Sequence, residues 1–206
     1  MTKTGLILLL GIYPFITNAQ DCELRKDKNG VKVYACSQDT SKYKLLKAEF
    51  SIPNTTFEQL RAFIMDVPNY PTWQYNMAEA KILKTIDDHS IIIRSVTDAP
   101  WPVTDREMIV QFSGVIDKSS NHLTMHIKSI PFNYPKNDKL VRVPFSDAIW
   151  SVSQGVNNSL QAVYTLRIDP GGTIPTWLVN MAIAEGPFES FSKLKNQLVE
   201  RSKKSQ

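Results

Sequence analysis

The stretch "TDAPWPVTDREMIVQF", Thr97 to Phe112, sets two prolines and a tryptophan ahead of a charged triplet, Asp105-Arg106-Glu107, that leads straight into an apolar run. Such a triplet has three readings: a catalytic acid–base cluster, a ligand clamp, or a structural corner. After Arg106, Glu107 and Gln111 alternate with Met108, Val110 and Phe112. A period of two sends the two sets to opposite faces of a strand. Met108, Val110 and Phe112 are therefore expected to face the core, and Glu107 and Gln111 to face outward. Asp98, Asp105 and Glu107 could in principle act as paired carboxylates, but nothing beside them supplies a nucleophile or fixes a pKa. The triplet thus reads as a corner, with Arg106 and Asp105 in a structural role and Arg106 ion-paired to its neighbours.

Working outward, strand-like segments flank this corner on both sides. "AEAKILKTI" and "SIIIRSVT" precede it; "HLTMHIKSI", "KLVRV", "DAIWSVSQ" and "SLQAVYTLRI" follow. Their connections are too short for parallel crossovers, which need about a dozen residues, so an antiparallel meander is expected. Upstream, "KYKLLKAEFSI" reads as a strand from Lys42 to Ile52. Thr55 and Glu58 are spaced as a capping box, and Phe57, Leu60, Ile64 and Val67 share one helical face. "PNYPTWQYN" reads as a connection with one helical turn. Downstream of "DPGG", Trp177, Met181, Ala184, Phe188, Phe191, Leu194 and Leu198 recur every three or four residues as one apolar stripe. Gly186-Pro187 is expected to kink that helix. The predicted arrangement is α+β, one domain with a curved antiparallel sheet wrapped around the long C-terminal helix.

At the N-terminus, "MTKTG", the apolar "LILLLGIYPFI" and the small residues "TNA" form the pattern of a signal peptide over residues 1–19. The mature domain is then residues 20–206, starting at Gln20, and the destination is secreted or periplasmic. In "CELRKDKNGVKVYAC" the Asn29-Gly30 pair marks a hairpin. A three-residue turn pairs residue 27 with 31 and brings Cys22 opposite Cys36, and an exported chain favours the disulfide. The chain carries 24 Lys and Arg against 20 Asp and Glu, a net charge of +4. These cations are dispersed, without the basic stripe that a nucleic-acid binder needs. Phosphate-loop, nucleophile-elbow and paired zinc-ligand motifs are missing from the sequence, so neither a metal nor a cofactor is expected. His122 and His126 share a strand face and read as surface residues.

Four segments in series carry a family resemblance: "DVPNYPTWQYNM", with Tyr70 and Trp73; "PWPVTDREMIV"; "VRVPFSDAIWSV"; and "VYTLRIDPGGTIPTWLVN". Together they resemble the START family of steroidogenic-acute-regulatory-related lipid-transfer domains, within the helix-grip (Bet v1-like) superfamily, over about residues 30–200. The resemblance implies a hydrophobic tunnel between sheet and C-terminal helix that encloses one lipid-like molecule, acyl or sterol-like. Its expected lining is Ile91, Ile93, Met108, Val110, Phe112, Met125, Trp150 and Tyr164 from the sheet, with Trp177, Met181, Ala184, Phe188 and Phe191 from the helix. Sterol-binding relatives carry an acid and an arginine in the tunnel. Here Ile93 and Phe112 stand near those positions, and Arg94 should point the other way. The sequence departs from the family in having Glu107 after the arginine. The expected protein is a monomeric, non-enzymatic carrier that makes transient membrane contact, its lid formed by the C-terminal helix and an Asp147–Trp150 loop. Two alternatives stay open: an enzyme using Arg94, His126, Asp147 and Tyr164 inside the same tunnel, and an interaction domain whose cavity is filled by its own side chains.

Overall fold

A computed structural model describes residues 21–37 and 45–204. The expected leader and the first residues of the strand predicted from Lys42 lie outside the described residues. β1 (Cys22–Lys28) and β2 (Val31–Cys36) form the N-terminal hairpin. Its turn has two residues rather than three: Lys28 pairs with Val31, and Asn29 and Gly30 take φ of 54° and 67°. These are the left-handed values that a tight hairpin turn requires. A register shift between Leu24 and Lys26 makes up the missing residue, so Cys22 still faces Cys36 and the two form a disulfide.

β3 (Leu45–Pro53) leads into α1 (Phe57–Met65). The capping box lies one residue later than expected. Thr56 Oγ1 accepts from the Gln59 amide at 3.2 Å, and Gln59 Oε1 accepts from the Thr56 amide at 2.9 Å. Thr55 instead donates its hydroxyl to the Pro53 carbonyl at 3.0 Å. A 3-10 turn (Val67–Asn69) and the short α2 (Tyr70–Trp73) complete the connection. Then come β4 (Met77–Asp87), β5 (Ser90–Thr97), β6 (Arg106–Asp117), β7 (His122–Ser129), β8 (Val141–Arg142), β9 (Phe145–Gln154) and β10 (Ser159–Asp169). The last element is α3 (Thr176–Lys204).

The sheet runs β1-β2-β3-β10-β9-β7-β6-β5-β4, with α3 against its concave face. The curved antiparallel sheet gripping a C-terminal helix is the predicted α+β helix-grip architecture. Two local expectations are corrected. "KLVRV" is not a meander strand, since β8 pairs in parallel with the start of β6. Asp147 to Trp150 is not a loop either; it lies inside β9, hydrogen-bonded to β7 on one side and β10 on the other. No lid can be built from it.

Parity along β6 is as read, but the outward face is not solvated. The segment from Pro131 to Pro144 folds across it, so Glu107 is only 1% exposed and Ile109 only 6%. Arg94 Nε binds Glu107 Oε1 at 2.5 Å, and Arg142 binds Oε2 through Nε at 2.9 Å and a second nitrogen at 2.7 Å. Arg142 also holds the covering segment through the carbonyls of Tyr134 and Pro135. The expected outward charge is therefore the centre of a buried ion network, because a long connection supplies the cover that a period of two cannot report. Burial alone would raise the Glu107 carboxyl, but the hydrogen bonds from Arg94 and Arg142 outweigh it and hold the group below the usual carboxylate range.

Arg106 makes a different set of contacts from the expected corner pair. It donates to the carbonyls of Thr104 and Gly171, while Asp105 accepts the Ala99 amide at 2.9 Å. Gly171 has φ of 66°, and a Cβ there would meet Pro144 at 3.0 Å. The glycines of "DPGG" thus permit the close approach that lets Arg106 tie the β5–β6 loop to the β10–α3 connection.

Candidate functional site

The inner face of the sheet is solid at one end and hollow at the other. Phe112, Leu123, Met125, Val152 and Leu160 fill the solid end, each 2% exposed or less. A cluster of aromatic rings divides the two. Phe50 and Phe191 stack with centroids 4.6 Å apart, and Trp150 meets Tyr164 edge-on at 5.3 Å and Phe191 at 5.2 Å. Beyond these rings lies a cavity of about 240 Å³.

Each wall of the cavity follows from strand parity. Ile93, Ser95 and Thr97 come from β5, Met108 and Val110 from β6, and Ser146, Ala148 and Trp150 from β9; Tyr164, Leu166 and Ile168 come from β10. Tyr70, Trp73, Gln74 and Tyr75 border one side, and Ala182, Gly186, Pro187, Ser190 and Phe191 of α3 border another. The void exists because Ser95, Ser146 and Ala148 on the sheet face Ala182, Gly186 and Ser190 on the helix, all small side chains. Among the described residues no lining side chain carries a charge.

Of the residues predicted to line a tunnel, Ile93, Met108, Val110, Trp150, Tyr164 and Phe191 border this cavity. Ile91, Phe112 and Met125 belong to the solid core instead. Phe188 is buried beneath the ammonium of Lys26, 4.1 Å from its ring centroid. Met181 and Ala184 are half-buried off the wall, and Trp177 turns outward, 57% exposed. Over the first turns of α3 Leu178 is the buried position and Ala182 borders the cavity while staying exposed, each one position on from Trp177 and Met181. Reading the bulkiest residues as the stripe placed it one residue early, and it missed Ala182, Gly186, Pro187 and Ser190. Small residues facing one another were the available signal.

The polar candidates for catalysis do not converge. Arg94 lies on the outer face, bound to Glu107 and to Glu79 at 3.0 Å. His126 and Asp147 are also on that face, joined at 2.6 Å, with Arg167 on the other carboxylate oxygen at 2.6 Å. His122 contacts Ser151 Oγ at 3.1 Å. Tyr164 alone lies inside. Among the described residues no group of three or more His, Cys, Asp or Glu is placed to hold a metal ion. No helix among them is long and apolar enough to cross a membrane.

Comparison with known proteins gives a consistent picture. The model of the START domain matches residues 22–205. An uncharacterized protein of Pseudomonas aeruginosa is 29% identical over 184 residues, 89% of each chain. The crystal structure of a STAR-related lipid transfer protein fragment from Xanthomonas axonopodis superposes with a TM-score of 0.76 at 24% identity, covering 86% of this chain and 98% of that one. Human StAR-related lipid transfer protein 5 superposes with a TM-score of 0.74 at 16% identity, covering 90% and 89%.

Proposed function

Because the chain belongs to the START domain family, we propose that it is an exported, monomeric carrier that holds one hydrophobic molecule in the cavity between sheet and α3, without catalysis. The observation that carries this reading is the uncharged, mostly apolar lining of a void that the chain's own side chains leave unfilled. Natural cores pack to near crystal density with few voids larger than a water molecule. At about 240 Å³ the void lies just below the usual range for small-molecule pockets, about 300–1,000 Å³. It suits a single chain or a small ring system; a diacyl lipid would require α3 to move outward.

Export rests on the pattern of residues 1–19 and on the Cys22–Cys36 disulfide, a bond that persists in oxidising compartments. Membrane contact rests on two exposed tryptophans at the cavity's end of the sheet. Trp101, 90% exposed, lies on the β5–β6 loop, and Trp177 lies in the first turn of α3. Arg106 bridges these two segments through Gly171. Exposed indoles of this kind favour the boundary between water and lipid.

Native mass spectrometry of protein purified from its source, followed by lipid extraction, tests the reading. The expected result is a bound hydrophobic species that is lost in Ala148→Trp, which fills the cavity. Absence of any extractable ligand, together with failure to bind a broad panel of fluorescent lipids, rules carriage out. N-terminal sequencing of the exported protein should begin near Gln20.

A further inference from the structure

The cavity's polar atoms are confined and unevenly satisfied. Tyr70, 4% exposed, donates its hydroxyl to the Ile64 carbonyl at 2.7 Å, which leaves its oxygen free to accept. Tyr164 borders the same cavity, yet its hydroxyl has no hydrogen-bond partner among the described residues. Tyr164 is enclosed by protein but keeps accessible surface, because that surface faces the void. Nearby, Trp73 Nε1 is a buried donor without a protein partner, but it keeps almost no accessible surface and does not open on the void, although its ring lies 5.4 Å from Tyr70 and lines the wall. Burial pushes both phenols well above the ordinary tyrosine range, with Tyr164 adding to the shift of Tyr70, so neither ionises at physiological pH. The remainder of the lining is apolar apart from the Tyr75 phenol, the small hydroxyls of Ser95, Thr97, Ser146 and Ser190 and the Gln74 amide, and among the described residues it holds no cation.

An unmatched donor facing a mostly apolar cavity, whose described lining carries no charge, specifies a ligand. A buried O–H without an acceptor is costly, and an acceptor oxygen removes that cost. An ionised head would have to lose its water without gaining a counter-charge. From this juxtaposition we infer that the cavity selects an uncharged single-chain amphiphile, an alkyl or acyl chain ending in a hydroxyl or carbonyl, whose oxygen accepts the hydrogen bond of Tyr164 and, if a hydroxyl, donates to Tyr70. This deepens the carrier reading and rests on it. Free fatty acids enter only in their neutral form.

Matched ten-carbon ligands separate the cases. Displacement of the fluorescent hydrocarbon naphthalene from the full mature chain is measured with decanol and with decanoate at pH 8, where a carboxylate of ordinary pKa is ionised. Decanol is expected to bind at least about tenfold more tightly than decanoate, and decanoate affinity to rise about tenfold for each pH unit lowered toward its own pKa. In Tyr164→Phe, decanol affinity should fall about fivefold, the worth of one hydrogen bond, while naphthalene affinity holds. Decanoate binding within threefold of decanol at pH 8 overturns the inference, as does a Tyr164→Phe effect that is equal for decanol and naphthalene. The decanol-to-decanoate ratio is read on the unaltered protein, so it stands whatever the variant does. If naphthalene and both chains fail to bind the unaltered protein, carriage itself is refuted, an outcome distinct from loss of head-group preference.

Discussion

Glu107 sits between two guanidinium groups at 1% exposure, with Arg94 itself only 6% exposed. Removing the carboxylate leaves Arg94 with Glu79 and the Tyr134 ring, and leaves Arg142 with the Tyr134 and Pro135 carbonyls and the same ring. Breaking a buried pair from one side costs about 3–5 kcal/mol, so Glu107→Ala should lower chemical-denaturation stability by that order. Because the folded-state pKa of Glu107 is depressed, its contribution is present above the ordinary carboxylate pKa, about 4.3, and disappears as pH falls through the lower folded value. Unfolding measured between about pH 5 and 2 should therefore show a steeper acid loss in the parent than in Glu107→Gln. Equal slopes would place the acid sensitivity on other carboxylates.

The N-terminal hairpin and α3 act as one unit. Lys26 of β1 pairs with Glu185 and covers the Phe188 ring. Lys195 donates to the Asn29 carbonyl at 3.0 Å, at the hairpin turn. The Cys22–Cys36 bond closes a loop whose chain-entropy contribution is about 3 kcal/mol. The Cys22→Ser/Cys36→Ser protein should lose about that stability, and amide exchange should quicken in α3 from Glu185 to Lys195 as well as in the hairpin. Exchange that quickens only between Cys22 and Cys36 would separate the two elements. Within α3, Pro187 removes the donor for the Ile183 carbonyl where the helix lines the cavity. An interior proline costs about 3 kcal/mol. Pro187→Ala should accordingly raise Tm and slow ligand exchange, measured by stopped-flow displacement; an unchanged exchange rate would show that this turn does not gate the cavity.

At the scale of the whole molecule, the hollow end of the sheet and the exposed tryptophans coincide. Trp101 and Trp177 make little core contact, so replacing both with alanine should leave Tm and ligand affinity unchanged while slowing transfer between vesicles severalfold. Transfer at the parent rate would move the docking face elsewhere. Much of this organisation was readable from residue order. Strand periodicity located the sheet, the 3.6-residue stripe located α3, and Asn29-Gly30 brought the cysteines together even though the turn was counted one residue too long. The interior was read less well. Phe112, Met125 and Ile91 share the lining's parity but fill the solid end, since alternation gives a side chain's face and not its depth along the strand.

The sequence by itself determined the elements, their faces and the family-wide plan of sheet and gripping helix, because periodicity and turn chemistry are local properties of the chain. Tertiary structure alone decided that Glu107 is buried, that Asp147 to Trp150 is held inside β9, and that the void lies where small residues of sheet and helix meet. Burial depends on what a distant segment covers, and a cavity depends on volumes summed across elements far apart in the chain. Neither quantity is carried by any single stretch of sequence.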